Sequence, residues 1–209
     1  MIRLWNPSTG ERAGVLTDGQ LPLGTLAWSP DGSQLAAASY DFFGVEPSRI
    51  TVWDVTTRRQ LRTIAGAGPL DWAPDDHALA GTNDGATVTI WHPRTGQMID
   101  EWRTDQDRVK SLHWSPDSTR LAVPIDKRME IRHLDSGTIF RCIGHTDPIH
   151  EVCWSPDSRY LATAAGSDLT IWDPERGKPM AVSALPRLPV LVGLHWAAAL
   201  TVPCTTAAP

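Results

Sequence analysis

The chain has 209 residues, 41% hydrophobic and 21% charged, a composition that excludes a disordered segment and leaves room for a substantial core. Its net charge of −5 argues against nucleic acid as the main partner, because gripping phosphates calls for a basic excess. Three cysteines without CxxC spacing predict free thiols rather than a disulfide framework, and no apolar run approaches the ~20 residues needed to cross a bilayer.

The opening residues, MIRLWNPSTGER, lack the apolar core of a signal peptide, so a cytoplasmic location is expected. Within them IRLWNPSTG (2–10) reads as a β-strand closed by a polar turn, with a second strand after it. WSPDGSQLAA, from Trp28, reads as the end of one strand, a turn and the start of the next. Pro presets φ for the turn and ends the incoming strand, and Asp bonds back to the local backbone. The same unit returns as WAPDDHALAG from Trp72, WSPDSTRLAV from Trp114 and WSPDSRYLAT from Trp154, at intervals of 44, 42 and 40 residues. Alternating runs such as VKSLHW (109–114) and IHEVCW (149–154) precede the turn and predict a strand there.

Between these units lie ITVWDVTTR (50–58), VTIWHPRTG (88–96), MEIRHLDSG (129–137) and LTIWDPERG (169–177), each a β-rich strand closed by a polar turn. A further strand follows, as in QLRTIAG (60–66) and TIFRCIGH (138–145). Four short antiparallel strands, a to d, therefore recur about every 42 residues, the period of a propeller blade. The predicted segments are 1–18, 19–64, 65–103, 104–144 and 145–185, a partial one at 186–196, and an irregular tail at 197–209. VLVGLHW (190–196) reads as another strand a, with LHW repeating residues 112–114, but no Ser-Pro-Asp turn follows it.

With its two WD dipeptides (Trp53–Asp54 and Trp172–Asp173), its Gly144–His145 pair and its four SPDG-like turns, the chain resembles the WD-repeat family of β-propellers over residues 2 to about 180. The resemblance implies an all-β propeller of four complete four-stranded blades plus partial terminal ones, either an open arc or a small ring closed by a composite blade. It implies that the recurrent tryptophans fill the space between blades, each burial contributing roughly 2–3 kcal/mol. It also implies a structural hydrogen-bond set of His, Ser or Thr, Asp and Trp within each blade, which this chain keeps in pieces. Those pieces are Ser39, Asp41 and Trp53 in the second blade, with Gly19 where His is expected, and Asp84 and Trp91 near Asn83 in the third. The fourth has Arg132 in place of Trp, and the fifth has His145 and Trp172 with Asp168 or Thr163.

No catalytic constellation, cofactor motif or metal-ligand spacing stands out. The stretch AGAGPLD (65–71) lies in a loop between strands, where glycine serves turns, and the histidines fall at repeat-equivalent places. One irregularity is the connection YDFFGVEPSR (40–49), where Tyr40, Phe42 and Phe43 form either a partner-binding loop or a small satellite core. The expected function is a non-catalytic protein-interaction scaffold, with other proteins as partners, no membrane and no nucleic acid. Such a scaffold could be a fragment of a larger signalling or regulatory protein. Two alternatives stay open: the propeller of a prolyl-oligopeptidase-like or Tol-type protein, and a non-functional gene fragment. An open arc exposes strand edges and so predicts self-association.

Overall fold

Eighteen strands, each antiparallel to its neighbours, account for the regular structure, and no helix occurs among the described residues. The computed structural model describes residues 1–17, 22–39, 48–105 and 108–184. The first sheet has two strands, β1 (Ile2–Trp5) and β2 (Arg12–Leu16). The second is β3 (Leu23–Trp28), β4 (Gln34–Ser39), β5 (Arg49–Asp54) and β6 (Gln60–Ala65), in that order. The third is β7 (Ala67–Trp72), β8 (Leu79–Thr82), β9 (Thr87–Trp91) and β10 (Met98–Arg103). The fourth is β11 (His113–Trp114), β12 (Arg120–Ile125), β13 (Arg128–His133) and β14 (Ile139–Ile143). The fifth is β15 (Ile149–Trp154), β16 (Leu161–Ala165), β17 (Asp168–Asp173) and β18 (Lys178–Ala184).

The turn chemistry explains why the strand meander repeats. In the second, fourth and fifth sheets the turn serine (Ser29, Ser115, Ser155) donates its hydroxyl to the turn aspartate (Asp31, Asp117, Asp157) at 2.6–2.7 Å. The same oxygens accept the N–H groups of Gln34, Arg120 and Tyr160 as the next strand begins, at 2.8–3.0 Å. These bonds hold the Asp31 carboxyl down at about 2, chiefly through the Ser29 hydroxyl. The residue after Asp takes a positive φ: Gly32 at 70°, Asp76 at 64°, Ser118 at 61° and Ser158 at 59°. Glycine adopts that conformation without the crowding of a Cβ. The serines hold it while clasping the neighbouring turn, since Ser118 Oγ accepts the Asp75 N–H and Ser158 Oγ the Asp117 N–H, both at 3.0 Å.

Each sheet is apolar on both faces and buries them only by stacking on its neighbours. Ile50, Val52 and Ile64 of the second sheet pack with Trp72, Leu79 and Trp91 of the third. Val88 and Ile90 of the third meet Trp114, Leu121 and Val123 of the fourth, and Met129, Ile131 and Cys142 of the fourth meet Trp154, Leu161 and Trp172 of the fifth. The half-sheet β1–β2 contributes Ile2, Leu4 and Leu16 against Leu35 and Trp53. No buried cluster combines the first and fifth sheets, so among the described residues the sheets form an open series.

One expected strand is mostly missing. VKSLHW predicts a six-residue strand a, but only His113 and Trp114 pair, with Ala122 and Leu121. Pro124 supplies the reason. The Arg120 carbonyl accepts the Ser115 N–H, so positions 120, 122 and 124 turn their backbone groups toward strand a. Proline has no N–H to offer there, and the ladder stops below it. Segment 108–112 runs instead toward the third sheet, where the Val109 N–H reaches the Gly85 carbonyl at 2.7 Å.

Candidate protein-interaction surfaces

The residues expected to form hydrogen-bond sets separate into three kinds. In the fifth sheet His145 Nε2 lies 2.6 Å from Thr163 Oγ1, and the Trp172 indole N–H donates to that same oxygen at 2.7 Å. Thr163 is fully buried, and its hydroxyl accepts from Trp172 while its contact with His145 Nε2 takes the direction set by the ring's tautomer. Burial lowers the His145 pKa, consistent with a neutral ring, while attraction from Asp168 opposes that shift. The His145 and Trp172 rings meet edge-on at 5.6 Å. Asp168 starts β17 opposite Ala165.

In the second sheet Ser39 donates to the Arg49 carbonyl at 3.0 Å, tying the ends of β4 and β5, and Trp53 packs under Leu4 and Leu16. Asp41, Tyr40, Phe42 and Phe43 lie outside the described residues, as does the expected strand at 190–196. In the third sheet Asp84 caps the β8–β9 turn, accepting the N–H groups of Ala86 and Thr87 at 3.0 and 2.7 Å and pairing with Arg103 at 2.6 Å. Those bonds, the Thr87 N–H foremost, lower its pKa. Trp91 is a packing residue: a Cβ added at Gly66 or Gly81 would lie 2.9 Å from its ring. These two glycines are what let the indole lie flat between sheets.

Two ion-pair centres were not expected from the repeat. Arg132, which stands where the repeat has Trp, forms a forked pair with Asp100 of β10 at 2.9 and 3.1 Å, and its guanidinium stacks 4.7 Å over Trp102. It thus joins the fourth sheet to the third by charge where the other sheets use an indole. Arg120 is buried, donates to Asp117, Glu175 and the Ser158 carbonyl at 2.6–2.8 Å, and lies 5.2 Å above the Trp154 ring. Its sequence signal is one basic residue at an offset where the sister turns carry Gln34, Ala78 and Tyr160.

Arg120 forms the floor of a cleft of about 690 Å3 where the turns of the fourth and fifth sheets converge, with Asp157, Arg159, Arg176 and Met180 on its walls. A second groove, of about 430 Å3, lies between the half-sheet and the second sheet and is walled by Leu4, Trp5, Leu26 and Trp28. Neither brings together a nucleophile and a base. Among the described residues no three His, Cys, Asp or Glu side chains cluster as metal ligands, and no helix is long and apolar enough to cross a membrane. Burial pushes the Cys142 thiol up to about 12, which makes it unreactive.

The WD domain, G-beta repeat model matches residues 14–43 and 137–173, and the Anaphase-promoting complex subunit 4 WD40 domain model matches 45–117. The chain belongs to the WD-repeat family. Among curated WD-repeat relatives, Cell division cycle 20.1, cofactor of APC complex, from Arabidopsis thaliana is 28% identical over 196 residues, covering 84% of this chain and 41% of that protein. WD repeat-containing protein SL1-17 from Schistosoma mansoni is 28% identical over 175 residues, covering 81% of this chain and 54% of that one. This WD-repeat chain therefore spans about half the length, or less, of the curated relatives it matches. Among solved structures, a chain of the Mitotic Checkpoint Complex superposes with a TM-score of 0.74 at 24% identity, over 87% of this chain and 57% of that one. That likeness is one of fold: the five sheets are consecutive blades of a WD-repeat propeller.

Proposed function

We propose that this WD-repeat chain is a non-catalytic scaffold, part of a larger regulatory protein, and that it holds another polypeptide against the turn end of its fourth and fifth blades. One observation carries the reading: the cleft over Arg120 has a fixed charged floor and solvent-exposed charged walls. Arg120 is locked between Asp117 and Glu175, whereas Arg176 is about three-quarters exposed and Asp157 is solvated. Interleaved charges of both signs suit a polypeptide segment with its own alternating charges, and not a phosphate backbone. The Arabidopsis relatives' description as cofactors of the APC complex supports the same class of role.

Placing a photo-crosslinking amino acid at Arg176 in the native host tests this. A discrete protein adduct is expected there, absent when the probe replaces Gln97 in the exposed β9–β10 turn, and diminished by Arg159→Glu. Equal labelling from both positions, or none from Arg176, overturns the reading.

A further inference from the structure

The first strands of the second, third and fourth sheets are all interrupted at the end away from the Ser–Asp turns. β3 pairs with β4 at Leu23 and again from Thr25 onward, so its register skips Gly24. β7 pairs with β8 at Ala67 and again from Asp71, and the register skips 68–70, where Pro69 has no N–H to give. β11 begins only at His113, which leaves 108–112 outside the ladder of its own sheet. These strands touch in sequence, β3 against β7 and β7 against β11, so the three gaps adjoin. They bound a cavity of about 450 Å3 lined by Gly24, Thr25, Pro69, Arg108, Val109 and Lys110. Its charge is one-sided, unlike that of the Arg120 cleft. The described lining holds two cations and no carboxylate, in a chain whose net charge is −5. Val109 is buried and its N–H is tied to the Gly85 carbonyl, so the alternation of an extended segment turns Arg108 and Lys110 together to the opposite side. Lys110 has no ion-pair partner among the described residues. Thr25 adds a hydroxyl oxygen that is buried without a hydrogen-bond partner, a state few polar groups keep.

We propose that this cavity binds a small phosphate monoester, with its phosphate between Arg108 and Lys110 and its organic part against Pro69. The donors decide the class. A guanidinium fork, an ammonium and a hydroxyl outnumber the two oxygens of a carboxylate and suit the three of a phosphate, whose charge approaching about −2 balances the two cations. One χ1 step exchanges Thr25 Oγ1 with its methyl group and turns the hydroxyl toward the anion. Size decides the source. The cavity falls within the roughly 300–1,000 Å3 of small-ligand sites, and it exceeds a phosphate ion, which leaves room for apolar atoms beside the Pro69 ring. A polynucleotide is a poor match, because two cations in an acidic chain neutralise too few phosphates. A phosphorylated polypeptide needs a groove or strand edge that continues beyond the phosphate, whereas this lining is confined to three strand ends. The site lies at the opposite end of the sheets from the Arg120 cleft, and its failure leaves the scaffold reading standing.

The test titrates the full chain at low salt, by calorimetry, with phenyl phosphate, benzoate, inorganic phosphate and a short peptide centred on phosphoserine. Phenyl phosphate should bind about tenfold more tightly than benzoate, and more tightly than inorganic phosphate or the peptide. Lys110 is exposed, so Lys110→Glu should fold normally and weaken phenyl phosphate by more than about tenfold. Arg59→Glu, the same charge change in the exposed β5–β6 turn, should leave the affinity unchanged. If Lys110→Glu melts below the wild type, Lys110→Gln supplies the same comparison. Hydrogen exchange places the site: phenyl phosphate should slow exchange at 108–112 and leave β15–β18 as they were. No heat from phenyl phosphate up to about 10 mM, binding that survives the Lys110 substitution, equal affinity for benzoate, or tighter binding of the phosphopeptide each overturns the proposal.

Discussion

Trp28 and Trp154 open almost identical decapeptides, WSPDGSQLAA and WSPDSRYLAT, in the same turn with the same Ser–Asp hydrogen bond, yet one indole is half exposed and the other nearly sealed. Local sequence fixes the turn and the strand that leaves it. Burial is fixed by the sheet in front, which for Trp154 has four strands and for Trp28 has two. In a stacked array each blade takes its stability from its interface as much as from itself. The largest predicted effect follows. Trp154→Ala empties a site packed by Met129, Ile131 and Leu161 and should cost about 3–5 kcal/mol in urea unfolding. Trp28→Ala should cost well under half of that. Equal costs would mean that Trp28 is already covered in the free chain, and the contrast between the two ends would dissolve.

The sealed interfaces also carry two half-buried titratable groups in equivalent strand positions, with opposite consequences for pH. Asp71 accepts the Trp114 N–H at 2.7 Å, bridging the third and fourth blades, but burial pushes its pKa up to about 6. The folded state therefore binds a proton that the unfolded chain releases down to 3.8, and stability from this group grows as pH falls from above 6 toward 3.8. Burial lowers His113 to about 4 from 6.5. There the unfolded chain takes the proton first, and stability is lost as pH falls from 6.5 to 4. Each shift corresponds to about 3 kcal/mol, so the two nearly offset. Asp71→Asn should raise the melting temperature at pH 7 and leave the His113 loss uncovered, giving a steep decline between pH 6.5 and 4. His113→Asn should reverse the slope over the same range. A flat profile for both variants would show that neither group is as enclosed as the blade stacking makes it.

How much of this was legible in the sequence depends on whether a feature is local to one repeat. The four turns, the strands they join and the spacing of the sheets follow from Pro, Asp and alternating apolar residues within ten positions of each other. The short β11 was legible in principle, since Pro124 stands inside a strand pattern, but its effect falls on residues 109–112 across the hairpin. Asp84 and Trp91 share a sheet but perform separate tasks, capping a turn and filling a gap beside Gly66 and Gly81, because no residue in that blade links them. The Arg120–Glu175 pair spans 55 residues and two blades, a distance at which a repeat pattern carries no signal. Arg132 was visible as a departure from the repeat, while its partner Asp100 was not, because that pairing is made between blades.

The smallest expected effect concerns polar ties within a blade, and it sharpens the difference between the two ends of the arc. Thr163 serves two partners at once, the Trp172 indole and His145, inside a fully buried strand of the blade whose preceding neighbour has four strands. Thr163→Val keeps the shape and removes both bonds, leaving an indole N–H and an imidazole nitrogen without a partner, at a cost of about 1–3 kcal/mol. Ser39 makes one bond, to the Arg49 carbonyl, at the end of the strand pair in the half-covered blade. Ser39→Ala should cost about 0.5–1.5 kcal/mol, the net worth of a single hydrogen bond. Hydrogen exchange gives the finer reading. Loss of Thr163 should loosen β16 and β17 together, because the shared hydroxyl couples β17 to the loop carrying His145, whereas loss of Ser39 should loosen only the ends of β4 and β5. If Ser39→Ala instead opened the whole second blade, that blade would be held by its polar tie and not by Trp53 and Leu35 packing beneath β1, and the half-sheet would contribute less cover than its contacts imply.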